Sequence, residues 1–125
     1  MKAKQARAPE PKPFGAEAFG AAEKTVVRWL GNAGALVTSR GTAVMIDPVL
    51  TGFDMPQLVP PPIQPEAVPA LDAVLITHAD GDHFSRETCA ALSKSCGAFH
   101  GTRYVGGLLA EMGLPGAGHA IGARF

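Results

Sequence analysis

Residues 77–84 read THADGDHF and follow directly on the apolar run AVLI at 73–76. Four side chains within six positions can bind a metal, namely His78, Asp80, Asp82 and His83. The flexible Gly81 lets them converge from different directions. Borderline divalent metals such as zinc accept imidazole nitrogen and carboxylate oxygen together. A cluster of this kind at the end of a buried strand predicts a metal site and metal-assisted hydrolysis.

Other interpretations of the cluster carry less weight. An Asp-Gly-Asp run alone is more typical of a solvated turn or of a calcium loop, but a calcium loop uses more oxygen ligands and fewer imidazoles. Two metals held by one loop could share a hydroxide that attacks an ester, an amide or a phosphodiester. The isolated His100 and His119 are interpreted as structural residues.

Length and charge limit the classes of partner. The chain has 125 residues and a formal net charge of zero, which predicts one domain and no nucleic acid or anionic membrane as partner. No apolar run approaches the length of a membrane span. The basic start leads into prolines rather than an apolar core, so it is not a secretory signal; a mitochondrial-type presequence stays open. We therefore expect a small-molecule substrate.

Cys89 and Cys96 are the two cysteines, seven positions apart in one predicted helix. That spacing is roughly 10 Å along a helix axis, whereas a disulfide needs Cα atoms within about 7 Å. We expect both to be reduced, buried apolar residues, and the compartment to be cytoplasmic.

The pattern of apolar residues predicts an α/β fold. Residues 1–24 are expected to form a disordered tail, and residues 25–125 the domain. An antiparallel meander of three strands is predicted first, then a long proline-rich loop, which is either functional or a spacer. A central strand and alternating helices and strands follow, with Ser85 as the first helix cap. The predicted strands are 25–30, 35–38, 42–46, 71–76 and 98–100, and the predicted helices are 86–95 and 103–112. No element is predicted after Gly113.

These residues resemble the N-terminal half of the metallo-β-lactamase fold superfamily. Its signature, Thr-His-x-His-x-Asp-His, is matched at Thr77, His78, Asp82 and His83. Residues 29–34 (WLGNAG) and 46–48 (IDP) are similar to the branch that includes ascorbate-phosphate lactonases and N-acyl-phosphatidylethanolamine-type phosphodiesterases. The resemblance implies part of an αββα sandwich, a mixed sheet with helices on one face.

The resemblance also implies a role for each site residue. His78 binds the first metal, and Asp82 and His83 bind the second. Asp82 also orients the nucleophilic water as the catalytic general base. Asp47 lies behind the ligands and steers one of them. The implied cofactor is a divalent metal, zinc first.

Two positions depart from the family pattern. Asp80 stands where the family has its second His, and its added negative charge favours harder metals such as iron(II) or manganese. Asn32 stands where relatives in this branch carry a His.

Family members are much longer and supply further metal ligands from their second half. We therefore expect a truncated domain, completed by a missing C-terminal half or by a homo-oligomer, with one sheet face left apolar. The expected function is a metal-dependent hydrolase with a dinuclear site, acting on an ester, lactone or phosphodiester. The alternative is a non-catalytic remnant that serves as a weak metal binder or an assembly partner, because the loop supplies two ligands per metal and catalysis usually needs three.

Overall fold

The computed structural model describes residues 7–10 and 12–125. In chain order the strands and helices are β1 Val26–Gly31, β2 Gly34–Ser39, β3 Thr42–Ile46, β4 Ala73–Ile76, α1 Arg86–Leu92, β5 Phe99–Thr102, α2 Arg103–Glu111 and β6 Gly116–His119. All six strands form one sheet in the order β1 to β6. Within the described ranges, no helix is long and apolar enough to cross a bilayer.

Strand direction divides the sheet into two parts. β1, β2 and β3 pair antiparallel, as the predicted meander requires. From β3 onward every pair is parallel, and β4 lies between β3 and β5. The mixed sheet with two helices confirms the predicted α/β class and the central position of β4. Because β3 and β4 are parallel, the segments that follow them leave the sheet at the same edge.

The two faces of the sheet differ in what covers them. One face is buried with both helices in a single hydrophobic cluster that includes Met45, Val74, Phe99, Leu92 and Leu109. The opposite face is called the open face below. Alternation along the paired strands puts a largely apolar row on it: Val27, Trp29, Val37, Val44, Ile46 and Leu75. Val27 and Trp29 are 66% and 51% exposed, so the open face of β1, the first strand of the sheet, is exposed within the described structure.

The proline-rich segment that follows β3 is tied to the start of α1. Its only helical element is the 3₁₀ turn Pro65–Ala67, in agreement with the expectation that proline excludes a regular helix. Thr88 Oγ1 accepts hydrogen bonds from the backbone N–H groups of Leu50 and Thr51, both at 3.1 Å. Ser85 Oγ caps α1 by accepting from the Thr88 N–H, which confirms the predicted N-cap. Ser85 also donates to the Thr51 carbonyl at 2.7 Å, so the cap holds the loop as well.

The first helix is shorter than predicted. It ends at Leu92 rather than residue 95, because Ser93 turns its hydroxyl onto the Ala90 carbonyl in a way that competes with further helix. Cys96 therefore lies beyond the helix instead of on its face. Both cysteines are nevertheless free and buried, as predicted. Burial raises the pKa of the Cys89 thiol to about 12.

The last strand, β6, was not predicted, since its sequence is GAGH. Glycine normally weakens a strand, and the segment carries few apolar side chains. Here glycine permits close packing. A Cβ atom added to Gly106 of α2 would lie 2.5 Å from the Gly118 Cα, so helix and strand touch backbone to backbone.

Part of the predicted N-terminal tail contacts the domain. Ala16–Phe19 form a 3₁₀ turn, and Ala18 belongs to the hydrophobic cluster. The Phe14 N–H donates to the Pro62 carbonyl at 3.2 Å, which joins this segment to the proline-rich loop. Residues 1–6 and 11, where part of the tail prediction falls, lie outside the described residues. The boundary at residue 25 stays a prediction.

Candidate metal centre

Asp47 and Thr77 meet at the edge where β3 and β4 end. Ile46 pairs with Leu75, so the next residues of the two strands emerge side by side. Asp47 is buried and has a positive φ of 46°, which is uncommon for a residue other than glycine. Its backbone N–H donates to the Leu75 carbonyl at 2.9 Å. Such strained, buried positions concentrate at functional sites, where surrounding contacts hold them.

The Asp47 carboxylate accepts three hydrogen bonds from the loop that follows β4. Its Oδ1 accepts from the Thr77 backbone N–H at 2.7 Å. Its Oδ2 accepts from the Thr77 hydroxyl at 2.6 Å and lies 2.8 Å from Nδ1 of His83. Asp47 therefore contacts Thr77 with both carboxylate oxygens and reaches His83 directly, while its role behind metal ligands stays a prediction.

The same carboxylate determines the tautomers of two imidazoles. An ionised carboxylate only accepts hydrogen bonds, so His83 presents a protonated Nδ1 to Asp47. The Thr77 hydroxyl donates its hydrogen to Asp47, and the hydroxyl oxygen lies 2.9 Å from Nδ1 of His78. That contact requires His78 to donate from Nδ1 as well. In their neutral forms both rings therefore carry the free lone pair on Nε2, the arrangement that metal-binding histidines use.

Each Nε2 atom faces a carboxylate of the loop. His78 Nε2 lies 3.4 Å from Asp80 Oδ2, and His83 Nε2 lies 3.5 Å from Asp82 Oδ2. Two donors on one tetrahedral ion, with bonds of 2.0–2.2 Å, are about 3.4 Å apart. The ring centroids of His78 and His83 are 3.9 Å apart. Each pair, with one imidazole and one carboxylate, therefore has the donor chemistry and the span that a divalent ion requires.

The ligand set is nevertheless small. Within residues 7–10 and 12–125, no three His, Cys, Asp or Glu side chains come together around a common metal position. The predicted four residues form two pairs instead. Asp80 is 79% and Asp82 55% exposed, so their carboxylates lie at the protein surface.

Electrostatics around His83 favour its protonated form in the metal-free protein. The hydrogen bond to Asp47 raises the pKa of His83 above its ordinary value, and the charges of Asp82, Asp47 and Asp80 add to it in smaller measure. A proton and a metal therefore compete for Nε2 of this ring.

Thr77 belongs to the motif, but the sequence analysis assigned it no role in the site. Its position between the end of β4 and His78 could have indicated one, because a hydroxyl there reaches both Asp47 and His78. Asn32, where relatives carry a His, fits the backbone of the turn between β1 and β2. Its φ is 46°, a left-handed conformation that Asn tolerates, and its carbonyl accepts a hydrogen bond from the Trp29 indole at 2.9 Å. His100 and His119 lie on β5 and β6 and contact each other.

Comparisons with known proteins agree with this fold. The profile of the β-lactamase superfamily domain matches residues 42–117, more than half of the chain. A UPF0173 metal-dependent hydrolase of Thermus thermophilus is 42% identical over 71 residues, which is 57% of this chain and 28% of that protein. An isothiocyanate hydrolase from Delia radicum gut bacteria has a similar fold, with TM-score 0.61 and 22% identity over 79% of this chain and 43% of the other. CmlA, a diiron β-hydroxylase from Streptomyces venezuelae, has TM-score 0.57 and 23% identity over 78% of this chain and 21% of its own.

The match is partial in one respect. The chain spans 22% to 41% of the length of the curated relatives that it matches. The profile nevertheless includes β3, the whole loop that follows β4, and both helices. The chain therefore belongs to the β-lactamase superfamily domain family.

Proposed function

We propose that the chain is the metal-binding part of a metal-dependent hydrolase whose dinuclear site activates water. The observation that carries the proposal is the hydrogen-bonded row His78–Thr77–Asp47–His83, which frees both Nε2 atoms for metal. The name of the Thermus relative, a metal-dependent hydrolase, supports it. When bound, the metal supplies Lewis acidity and lowers the pKa of water toward neutrality.

The residues divide the work between the two ions. His78 and Asp80 hold the first metal, and His83 and Asp82 hold the second. Asp82 also accepts a proton from the attacking water on its free carboxylate oxygen, as a general base. Asp47 keeps the two imidazoles in one tautomer, so the site is preorganised before metal arrives.

Zinc is the first candidate metal, because imidazole with carboxylate suits it. Asp80 replaces an imidazole and shifts the preference toward harder ions such as iron(II) or manganese. The fold neighbour that binds two irons is compatible with that shift. An Asp80→His variant should move the preference back toward zinc, as seen when both metals compete for the protein.

The substrate proposed is a small molecule with an ester, lactone or phosphodiester bond. The remaining ligands and the far wall of the pocket would come from a second segment that packs on the open face. That segment is either a C-terminal half, since relatives extend well beyond the matched part, or a second copy of this chain. Light scattering of the purified chain separates the two, because only the second yields a dimer.

Hydrolysis assays test the proposed activity. The protein is loaded separately with zinc, manganese or iron(II) and given an activated aryl ester, an aliphatic lactone and bis(4-nitrophenyl) phosphate. Turnover of one substrate should depend on added metal and fall at least tenfold in His83→Ala. A His119→Ala control should leave it unchanged. Turnover that stays at the level of the metal-loaded, unsubstituted protein both without metal and in His83→Ala would contradict the proposal.

A second candidate function follows from the pairing of the ligands. Two ligands per ion hold metal weakly, whereas catalytic sites usually have three. The chain would then be a non-catalytic remnant that binds metal loosely or serves as an assembly partner. Reversible metal uptake at the loop without turnover of any substrate class would favour this function.

A further inference from the structure

A second pair of histidines lies on the open face, outside the loop of the candidate metal centre, and Thr77 at the start of that loop lines the same cleft. His100 is on β5 and His119 is on β6, and the two strands are parallel. His100 pairs with Ala117, so His119 is its diagonal neighbour two positions along the next strand. Residues in this relation point to the same face and reach each other when their side chains are long. Both histidines are half-buried.

The two rings approach through their nitrogens. His100 Nδ1 and His119 Nε2 are 2.9 Å apart, with ring centroids separated by 5.2 Å. Bonds of about 2.05 Å from these two nitrogens to one ion would subtend an angle of about 90°. A tetrahedral ion needs a wider span of about 3.4 Å, whereas neighbouring positions of a square-planar or tetragonal ion need 2.9 Å.

We propose that His100 and His119 form a bidentate site for a divalent transition metal of tetragonal preference, nickel(II) or copper(II). The site uses neither the loop ligands nor the proposed hydrolysis. Copper and nickel also precede zinc or equal it in their affinity for nitrogen ligands, which adds to the geometric preference.

A metal can enter this pair without displacing a proton from it. Asp47 and Thr77 fix the tautomers of His83 and His78. His100 and His119, in contrast, share one hydrogen between their facing nitrogens. When a neutral donor ring moves that hydrogen to its opposite nitrogen, both facing nitrogens carry lone pairs. An ion bound to both nitrogens then lies about 1.45 Å to one side of the line that joins them, and no proton leaves two neutral rings.

The surroundings leave room for the remaining ligands. A cleft of about 240 Å³ adjoins the pair, with Thr102 and Phe125 among its walls. The Phe125 ring stacks on His119 at 3.9 Å and 12°, and on His100 at 4.7 Å and 28°. Stacking covers ring faces and leaves the nitrogen edges free, so water can complete the coordination of an ion.

Nickel titration tests the site. Tag-free protein carrying His78→Ala and His83→Ala is titrated by calorimetry with nickel chloride, then with zinc chloride, in a non-coordinating buffer. One equivalent of nickel should bind, with zinc at least tenfold weaker. Adding His119→Gln or His100→Gln should weaken nickel at least tenfold, while the circular dichroism spectrum stays the same. Copper(II) bound to the background protein should show two nitrogen couplings in its electron paramagnetic resonance spectrum.

Several outcomes would overturn the proposal. Nickel affinity that survives both Gln substitutions would assign it to another group, such as the amino terminus. Zinc bound more tightly than nickel would contradict the proposed preference for tetragonal ions. If the double variant does not fold, His119→Gln in the otherwise unchanged chain must lose one nickel equivalent, and an unchanged stoichiometry there would refute the site.

Discussion

The chain holds two pairs of imidazoles in different ways. At the loop, His78 and His83 reach a common buried carboxylate, Asp47, directly or through Thr77. On the open face, among residues 7–10 and 12–125, the His100 and His119 rings hydrogen-bond only to each other. The first arrangement fixes which nitrogen is free, and the second leaves the hydrogen exchangeable. The two pairs therefore differ in one feature. A carboxylate fixes the tautomers of His78 and His83, whereas the tautomers of His100 and His119 can change.

The donor spans reinforce the contrast. At the loop, nitrogen and oxygen donors lie 3.4 and 3.5 Å apart, which fits tetrahedral ions. On the open face, two nitrogens lie 2.9 Å apart, which fits a right angle at the metal. Metal preference therefore distinguishes the two proposed sites, one where β3 and β4 end and one on the open face.

Removing the shared carboxylate should have the largest effect. Asp47→Ala removes the buried carboxylate that accepts three hydrogen bonds from Thr77 and His83, and it places Ala at a positive φ. The free energy of unfolding should therefore fall by about 3 kcal/mol. His119→Ala, at the half-buried pair, should change stability by under about 1 kcal/mol. Urea unfolding of both variants measures the difference. An equal decrease in the free energy of unfolding in the two variants would mean that Asp47 does not stabilise the loop.

Removing one loop ligand should affect zinc rather than stability. In His83→Ala the second ion keeps a single ligand, Asp82, so zinc affinity at the loop should fall roughly thirtyfold, about 2 kcal/mol. His100→Ala is the matched control and should leave loop zinc unchanged. Competition with a chromophoric chelator measures both. A larger loss in His100→Ala would reverse the assignment of the zinc site.

The raised pKa of His83 predicts a pH dependence in metal-free protein. Asp47 stabilises the protonated ring in the folded state, so its contribution to stability is complete below the ordinary His pKa of about 6.5. That contribution is lost as the pH rises through the raised pKa of the folded state. His83→Gln should flatten this decline, and zinc should bind more tightly as pH increases. Parallel stability profiles of the two proteins would contradict the assignment.

The smallest effect is expected at the ring stacked on the second pair. Phe125 is 72% exposed, so Phe125→Ala should lower stability by about 0.5 kcal/mol. Nickel affinity at His100 and His119 should change less than threefold, because the ring covers faces and not nitrogens. Calorimetry on this single variant checks both figures. A tenfold change would make the aromatic ring part of the site.

Local chemistry made much of this fold predictable. β3 has the predicted bounds, because β-branched residues are followed by a turn at Asp47-Pro48. Ser85 was recognisable as a cap. β6 was missed, because Gly118 serves close packing and glycine usually signals a turn. The site was half predictable: the ligand types come from one loop, but Asp47 meets Thr77 across 30 positions only through parallel pairing of β3 and β4.

Zinc affinity of Asp47→Asn tests the central claim, that one buried carboxylate prepares both imidazoles of the loop. The amide keeps the shape of the side chain but removes the charge and one acceptor, so the rings lose their fixed tautomer. Zinc at the loop should bind tenfold to a hundredfold more weakly, at about neutral pH, with nickel at His100 and His119 unaffected. An Asp47→Asn protein that binds zinc as tightly as the unchanged chain would contradict the account.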